Sequence, residues 1–299
     1  MKSFALVALC VAALFVAAHA LGAYRWDGAT GALVSRLHEA SGAAQPRAVD
    51  FAELASLPAP VQRYFRAALT DGQAFVEAAR VEHTGSFNIS ETEQWKAFSS
   101  SQWIVTTRPG FVWNGRIAYA PGVPVRVHDA YLAGEGILHA ALLGLVSLVD
   151  LRGASDLARG ELMRYLAEAP LLPTALLPSE GLRWTAVDNR SADATLCDGG
   201  LDVTLRFHFN EQGLVDTVSA TARGRSVGGT VVATAWQGRW WSYERRNGML
   251  VPTEGEVAWL LPDGPKAYWR GHLKQIGYDF GPVGARGSRL NTRGVVSAA

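Results

Sequence analysis

The sequence predicts a mainly β protein of the α+β class: an antiparallel sheet curled on itself, preceded by an N-terminal helix and carrying a helical insertion. Three observations carry this. Past Asp71-Gly72 the apolar period changes from helical to two, and alternating segments then recur as far as residue 279. These segments follow one another through short turn signals, as in a meander, with few helices to cover parallel crossovers. One stretch within the array, beginning near Ser155, returns to helical spacing.

Composition narrows the class. The chain has 299 residues, 48% hydrophobic and 18% charged, which suits one large domain or two small ones and excludes a disordered tail protein or a collagen-like repeat. Basic and acidic residues number 28 and 27. Without the first 20 residues, and so without Lys2, they number 27 each. No excess of Lys and Arg exists to seek phosphate backbones, so no nucleic-acid partner is expected.

The N-terminus opens with Met1-Lys2-Ser3 and an uncharged run from Phe4 to Tyr24. Phe4 to Ala18 has the length of a signal-peptide core, and Ala18-His19-Ala20 places small residues where a signal peptidase reads. The whole run of 21 residues also suffices for an uncleaved anchor. Residues 1–23 are therefore a signal peptide or an N-terminal membrane anchor, a buried core helix being the third reading. Under the first two, the rest of the chain lies outside the cytoplasm, periplasmic or secreted, with Lys2 left inside. Cys10 falls in the leader, only six residues from the start of the run, which argues against a lipoprotein site. Cys197 is then the lone mature cysteine. It sits beside Asp198 in an alternating run and reads as a small hydrophobe.

Residues 24–56 form a linker with a short helix around Ala32 to Ala40. The main domain, residues 57–280, starts where Pro58 and Pro60 open an amphipathic helix with Val61, Tyr64, Phe65, Ala68 and Leu69 on one stripe. In the first strand Val81, His83, Gly85, Phe87 and Ile89 share a face. Further strands are expected near 101–107, 111–119, 124–132 and 135–140, between turns such as Arg108-Pro109-Gly110 and Ala120-Pro121-Gly122. Residues 137–149 are densely apolar but too few to cross a bilayer. Ser155 can cap a helix bearing Leu157, Leu162, Tyr165 and Leu166, which Pro170 stops. Leu171 to Pro178 carries too many prolines to continue it. Seven strand-like segments follow between 182 and 279, with Asn247-Gly248 as a hairpin signal. Residues 281–299 read as a disordered tail.

No motif names a reaction. Six histidines outside the leader show no metal-ligand spacing, and no P-loop, GxGxxG or GxSxG elbow is present, so no metal and no cofactor are implied. His128 and Asp129 are adjacent on a strand and must point to opposite faces. Glu161, Arg164 and Glu168 are spaced i, i+3 and i, i+4 on the inserted helix. They form either a solvated helix face or, for Glu161 and Arg164, polar anchors at a cavity mouth. Nine of the ten tryptophans lie in or beside strands. Trp240 and Trp241 face opposite ways. Core packing accounts for most of the indoles, and an aromatic-lined apolar cavity for the surplus. Asn88-Ile89-Ser90 and Asn189-Arg190-Ser191 match the glycosylation triplet, but a chain rich in Arg over Lys with a bacterial-type leader makes both chance matches.

Four segments resemble an uncharacterised family of exported or membrane-anchored bacterial proteins: Leu57 to Ala67 (LPAPVQRYFRA), Thr107 to Trp113 (TRPGFVW), Gly160 to Leu177 (GELMRYLAEAPLLPTALL) and Gly255 to Leu261 (GEVAWLL). That family implies no activity. The order of elements is also similar to the periplasmic lipoprotein carriers: a helix, a strand, Arg-Pro before an aromatic strand, helices midway, then more strands. This resemblance implies a half-barrel whose apolar hollow holds acyl chains beneath a helical lid, here residues 142–178. It also implies that Arg108 bonds lid carbonyls, so that Arg108→Leu would loosen ligand retention.

The leading expectation is thus an extracytoplasmic, non-enzymatic protein near the membrane that binds a lipid-like or other apolar molecule. Arg108, Trp113, Tyr131, Glu161 and Arg164 are the candidate ligand-binding residues. One alternative is an envelope hydrolase or isomerase using Glu161, Asp129 or a histidine as general base. The other is a structural or partner-binding module, with a filled interior and an exposed apolar patch.

Overall fold

A computed structural model describes residues 2–43, 46–88, 93–153 and 156–282. Ile89 of the expected first strand, the rest of its glycosylation triplet at Ser90, Ser155 as a helix cap and residues 283–299 of the expected tail lie outside the described residues.

Helix α1 (Lys2–Ala40) is continuous, so the leader and the short helix near residue 32 are one element. It contains no proline and few β-branched residues, and Ser41-Gly42 lies just past its end. Among the described residues it is the one helix long and apolar enough to cross a membrane. Its second half is buried differently. Trp26, Leu33 and Leu37 face the sheet, and Leu33 and Leu37 pack with Val105, Val112, Ala130, Leu132 and Ile137. Helix α2 (Ala59–Ala68) begins after Pro58 and buries Val61, Tyr64, Phe65 and Ala68, the stripe read from the sequence.

The first half of the sheet is a meander of β1 (Val76–Asn88), β2 (Trp95–Val105), β3 (Gly110–Ala120), β4 (Val123–Leu132), β5 (Glu135–Leu142) and β6 (Val146–Gly153). The second is β7 (Leu182–Ala186), β8 (Ser191–Asp198), β9 (Leu201–Phe209), β10 (Val215–Val227), β11 (Thr230–Arg246), β12 (Met249–Leu261) and β13 (Gly264–Phe280). The halves join through β1 and β13, which makes one antiparallel sheet of 13 strands with β6 and β7 at its two edges. Asn247 and Gly248, both with positive φ (47° and 85°), turn β11 into β12 as the hairpin signal requires.

Between β6 and β7 lies the insertion: helix α3 (Asp156–Glu168) and two 3-10 turns, Ala169–Leu171 and Pro173–Leu176. The chain leaves one edge of the sheet and re-enters at the other, so the insertion must cross the sheet face. It crosses as core. Leu162, Leu166, Leu171 and Leu176 are at most 1% exposed, each such burial contributing about 1.5–3 kcal/mol. Residues 146–153, assigned above to a lid, form strand β6.

These facts correct the half-barrel. The mainly β architecture, the N-terminal helix and the helical insertion are present, but the sheet is open and not strongly curled, with β6 and β7 as unpaired edges. Strand alternation requires only that one face of each strand be covered. Here α3 and the 3-10 turns cover that face as a packed layer, and curling is not needed. On β3 and β4 both faces are covered, by α3 on the inner side and α1 on the outer. This explains the unbroken burial from Gly110 to Trp113.

Candidate functional site

The inner face of the sheet is built on a repeated local device. Trp113, Trp236 and Trp269 each precede a glycine by two residues, and each indole lies over that glycine on its own strand, Gly115, Gly238 and Gly271. A side chain at Gly115 or Gly271 would collide with the ring. Laid flat in this way, the three indoles line one side of a partly open cavity of about 90 Å³. Phe87, Trp240, Val257 and Tyr268 extend the apolar wall, and Ala167 and Leu171 of the insertion close it opposite. The polar ends of the wall are satisfied away from the space: Trp240 Nε1 donates to the Ala167 carbonyl at 3.1 Å and Trp236 Nε1 to the Tyr268 hydroxyl at 2.9 Å.

A charged cluster forms the other end of the cavity. Arg164, on α3, lies between the rings of Phe111 and Trp113, its guanidinium carbon 5.0 and 5.2 Å from their centres. It donates from Nε to Glu168 at 2.7 Å and from Nη1 to Asp129 on β4. Gln102 donates to the second oxygen of Glu168 at 2.7 Å. Burial works against the guanidinium charge, but Glu168 and Asp129 hold its pKa above the ordinary value. His83 also lines the cavity. Burial pushes its imidazole down to about 4, with Glu168 acting in the opposite sense, so it is neutral at pH 7, and its Nδ1 lacks a hydrogen-bond partner.

Glu161 lies behind this cluster, only 5% exposed. Burial and then the nearby Asp129 charge raise its pKa well above the carboxylate range, against Arg223 and Arg164. Glu161 Oε2 and Asp129 Oδ1 are both buried without another partner. A proton on Glu161, given to Asp129, satisfies both. Arg223 on β10 closes the group from the other side, donating to the Gly160 carbonyl at 3.1 Å.

The residues singled out in the sequence thus separate. Trp113 and Arg164 meet at the cavity, and Glu161 backs Arg164 without lining the space. Arg108 and Tyr131 meet elsewhere, on Asp198: Arg108 Nε donates to one oxygen at 2.9 Å and Tyr131 Oη to the other at 2.8 Å. Burial, then the bond to Asp198, raises the Tyr131 phenol. This network borders a second, open cleft of about 740 Å³ containing Arg47, Glu77 and Cys197. Arg108 directs its bonds to Asp198. His128 and Asp129 do face opposite ways, Asp129 to the cavity and His128 to α1. Trp240 is buried while Trp241 is 38% exposed.

Sequence reasoning passed over His83, Gln102, Trp236, Tyr268 and Trp269. A signal existed for two of them. The tripeptides Trp113-Asn114-Gly115, Trp236-Gln237-Gly238 and Trp269-Arg270-Gly271, the three of the four Trp-x-Gly tripeptides that lie on strands, mark three of the four indoles that line the cavity. Among the described residues, no group of three or more His, Cys, Asp or Glu side chains is placed to hold a metal ion.

Fold and site together define a class: an open antiparallel sheet bearing an apolar N-terminal helix outside and a helical insertion inside, with an aromatic cavity and a buried ion cluster between insertion and sheet. The chain belongs to the family of unknown function DUF6920, whose profile matches residues 55–278. No curated protein matches it. Similarity to solved structures is weak. A LolA superfamily protein from Nitrosomonas europaea aligns at 10% identity over 76% of this chain and 96% of its own, with a TM-score of 0.40. A β-barrel-like protein of the domain of unknown function DUF1849 from Brucella abortus aligns at 8% identity over 69% of this chain and 99% of its own, with a TM-score of 0.22.

Proposed function

We propose that this protein stands at the outer side of a bacterial membrane, tethered by α1, and binds a molecule with an apolar body and a polar end between the insertion and the sheet. The observation that supports this is the division of the cavity wall. Aromatic and aliphatic side chains form one end, and Arg164, Asp129, Glu168, Gln102 and His83 are gathered at the other. Such walls suit amphipathic ligands, the apolar part driving binding at about 25 cal/mol per Å² and the polar part fixing orientation. At about 90 Å³ the space takes a small group or the end of a chain.

The test uses the full chain in lipid nanodiscs, titrated with a polyene fatty acid that quenches tryptophan. Saturable quenching is expected, and its loss in Val257→Trp, which fills the cavity from its wall. Quenching that is equal in both proteins, or that never saturates, would overturn the reading.

A second reading, an envelope hydrolase or isomerase, is favoured by one observation: Glu161, pushed well above the carboxylate range by burial, stands beside Asp129, which borders the cavity. Opposed carboxyl groups of this kind divide acid and base roles. This reading requires a captured molecule to change mass on incubation with the protein, and not with Asp129→Asn.

A further inference from the structure

Helix α1 is not free along the length that would cross a bilayer. Phe15 packs against Gly122, at the tip of the β3–β4 hairpin. Gly22 sits so close to the Leu143 carbonyl, in the β5–β6 turn, that no side chain would fit there, and Leu145 packs beside it. Only residues 3–14 project beyond the sheet, about 18 Å at 1.5 Å per residue. The hydrocarbon layer is about 30 Å thick. The missing length of about 12–15 Å must come from residues 15–24 at the same rise per residue, which the two hairpin ends flank. If α1 crosses, the hairpin ends go in with it.

Both ends have the composition for this. From Ile117 to Val125 the β3–β4 hairpin carries no charge, and Arg116 and Arg126 face each other across it at the base of that zone. Arg126 reaches Asp27 of α1 at 3.6 Å, level with the first charges after the uncharged run. From Ala140 to Val149 the β5–β6 hairpin is likewise uncharged, ending at Asp150. Tyr119 is 50% exposed, Val146 60% and Leu148 55%, an apolar surface continuous with the bare side of α1. A hairpin rises about 3.3 Å per residue, so Gly122 stands roughly 13–20 Å beyond the arginine pair, the depth that the helix arithmetic requires.

We propose that the β3–β4 and β5–β6 hairpin ends insert into the outer leaflet beside α1, with Arg25, Asp27, Arg116, Arg126 and Asp150 at the headgroup level. The occupant of this surface is lipid. Because β6 is an edge strand whose outward backbone groups need water, the turn at 143–145 reaches the hydrocarbon and the strand beyond it stays in the headgroup layer. The inference rests on α1 as a membrane span and is independent of the ligand cavity, which lies on the other face of the sheet.

Nitroxide labels on the full chain in phosphatidylcholine–phosphatidylglycerol vesicles test it, read by collision with oxygen against collision with a water-soluble nickel chelate. Labels go singly on native Cys10, on Tyr119→Cys, on Val146→Cys and, as an aqueous reference, on exposed Val187→Cys, with the other cysteines replaced by serine. The oxygen-to-nickel ratio at 119 should exceed that at 187 severalfold and approach that at Cys10, and the ratio at 146, where β6 starts at the headgroup level, should fall between those at 187 and 119. A ratio at 119 and 146 equal to that at 187, with Cys10 in hydrocarbon, would overturn the insertion and leave the span standing. Cys10 in water would overturn both. Low collision with both agents together with spin–spin broadening would mean that a second copy covers the surface, and would overturn the assignment to lipid. All four sites are exposed, so the fold tolerates the labels, and near-ultraviolet circular dichroism of each variant checks this.

Discussion

Glu161 and Asp129 bring two carboxyl groups together where α3 crosses β4, with Glu161 Oε2 and Asp129 Oδ1 both buried, so that a proton on Glu161 can bridge them. Two such groups in contact cannot both ionise, so the more buried one keeps its proton. Above the ordinary carboxylate range, near 4.5, the unfolded chain releases the Glu161 proton and the folded chain does not. The folded state then binds more protons, and this group makes the fold less stable as pH rises. Glu161→Gln, which can still donate to Asp129, should remove that slope. In urea denaturation its stability relative to wild type should be higher at pH 8 than at pH 5. An unchanged difference would mean that Glu161 ionises normally.

His83 and His128 act with the opposite sign. Burial holds both at about 4. Between that value and 6.5, the unfolded chain binds the protons that the folded chain refuses, so stability falls as pH drops through this window. Each histidine contributes on the order of 3 kcal/mol to the change if its full shift is realised. His83→Asn and His128→Asn should each flatten the acid limb of the stability curve. A limb of wild-type steepness in either variant would count against that residue.

Arg164 is the shared partner of two carboxylates, both about one-fifth exposed. Arg164→Met keeps the packing against Phe111 and Trp113 but leaves Asp129 and Glu168 uncompensated, which should cost about 3–5 kcal/mol. The double variant with Asp129→Asn should recover part of that loss, since one stranded charge is gone. Denaturation midpoints of the two proteins decide it.

Gly271 lies under the indole of Trp269 with no space for a methyl group. Gly271→Ala should therefore tilt the ring into the cavity, destabilise the protein by about 1–3 kcal/mol and weaken saturable probe quenching. Gly277, on the same strand with open space around it, is the matched control. Gly277→Ala should leave quenching intact.

Arg108 and Tyr131 serve Asp198. Tyr131→Phe removes one bond to a carboxylate and should cost about 1.5–3 kcal/mol. Arg108, 38% exposed at its side chain, should matter less than that, and Arg108→Leu should leave probe retention unchanged. Faster probe release in that variant would show that Arg108 acts on the insertion after all.

Much of this was legible from residue periodicity. The buried stripe of α2, the Asn247-Gly248 turn and the opposed directions of His128 and Asp129 follow from spacing alone. Openness of the sheet was not legible, because alternation reports which side of a strand is covered and not what covers it. The stretch 142–153 misled for a related reason. Its apolar residues fit no buried face, and Val146, Leu148 and Leu151 stand exposed on an edge strand. Glu161 and Arg164 have the spacing of a solvated helix face, and only the placement of α3 against β4 makes them a buried pair. The Trp-x-Gly tripeptides were present in the sequence, but their meaning depends on three distant strands turning the same face inward.

The docking of α1 has a consequence of another kind. Trp26 stacks on His128 at 4.0 Å and donates to Asn114, and Thr30 bonds the same histidine at 2.7 Å, all without a break in the helix. A tethered domain usually explores a hemisphere whose radius is its linker. If α1 spans a membrane as proposed, no linker separates span from sheet, and the domain is held at a fixed height and tilt above the bilayer. What reaches its cavity must then arrive at that height, so encounter becomes a search in two dimensions, governed by lateral diffusion.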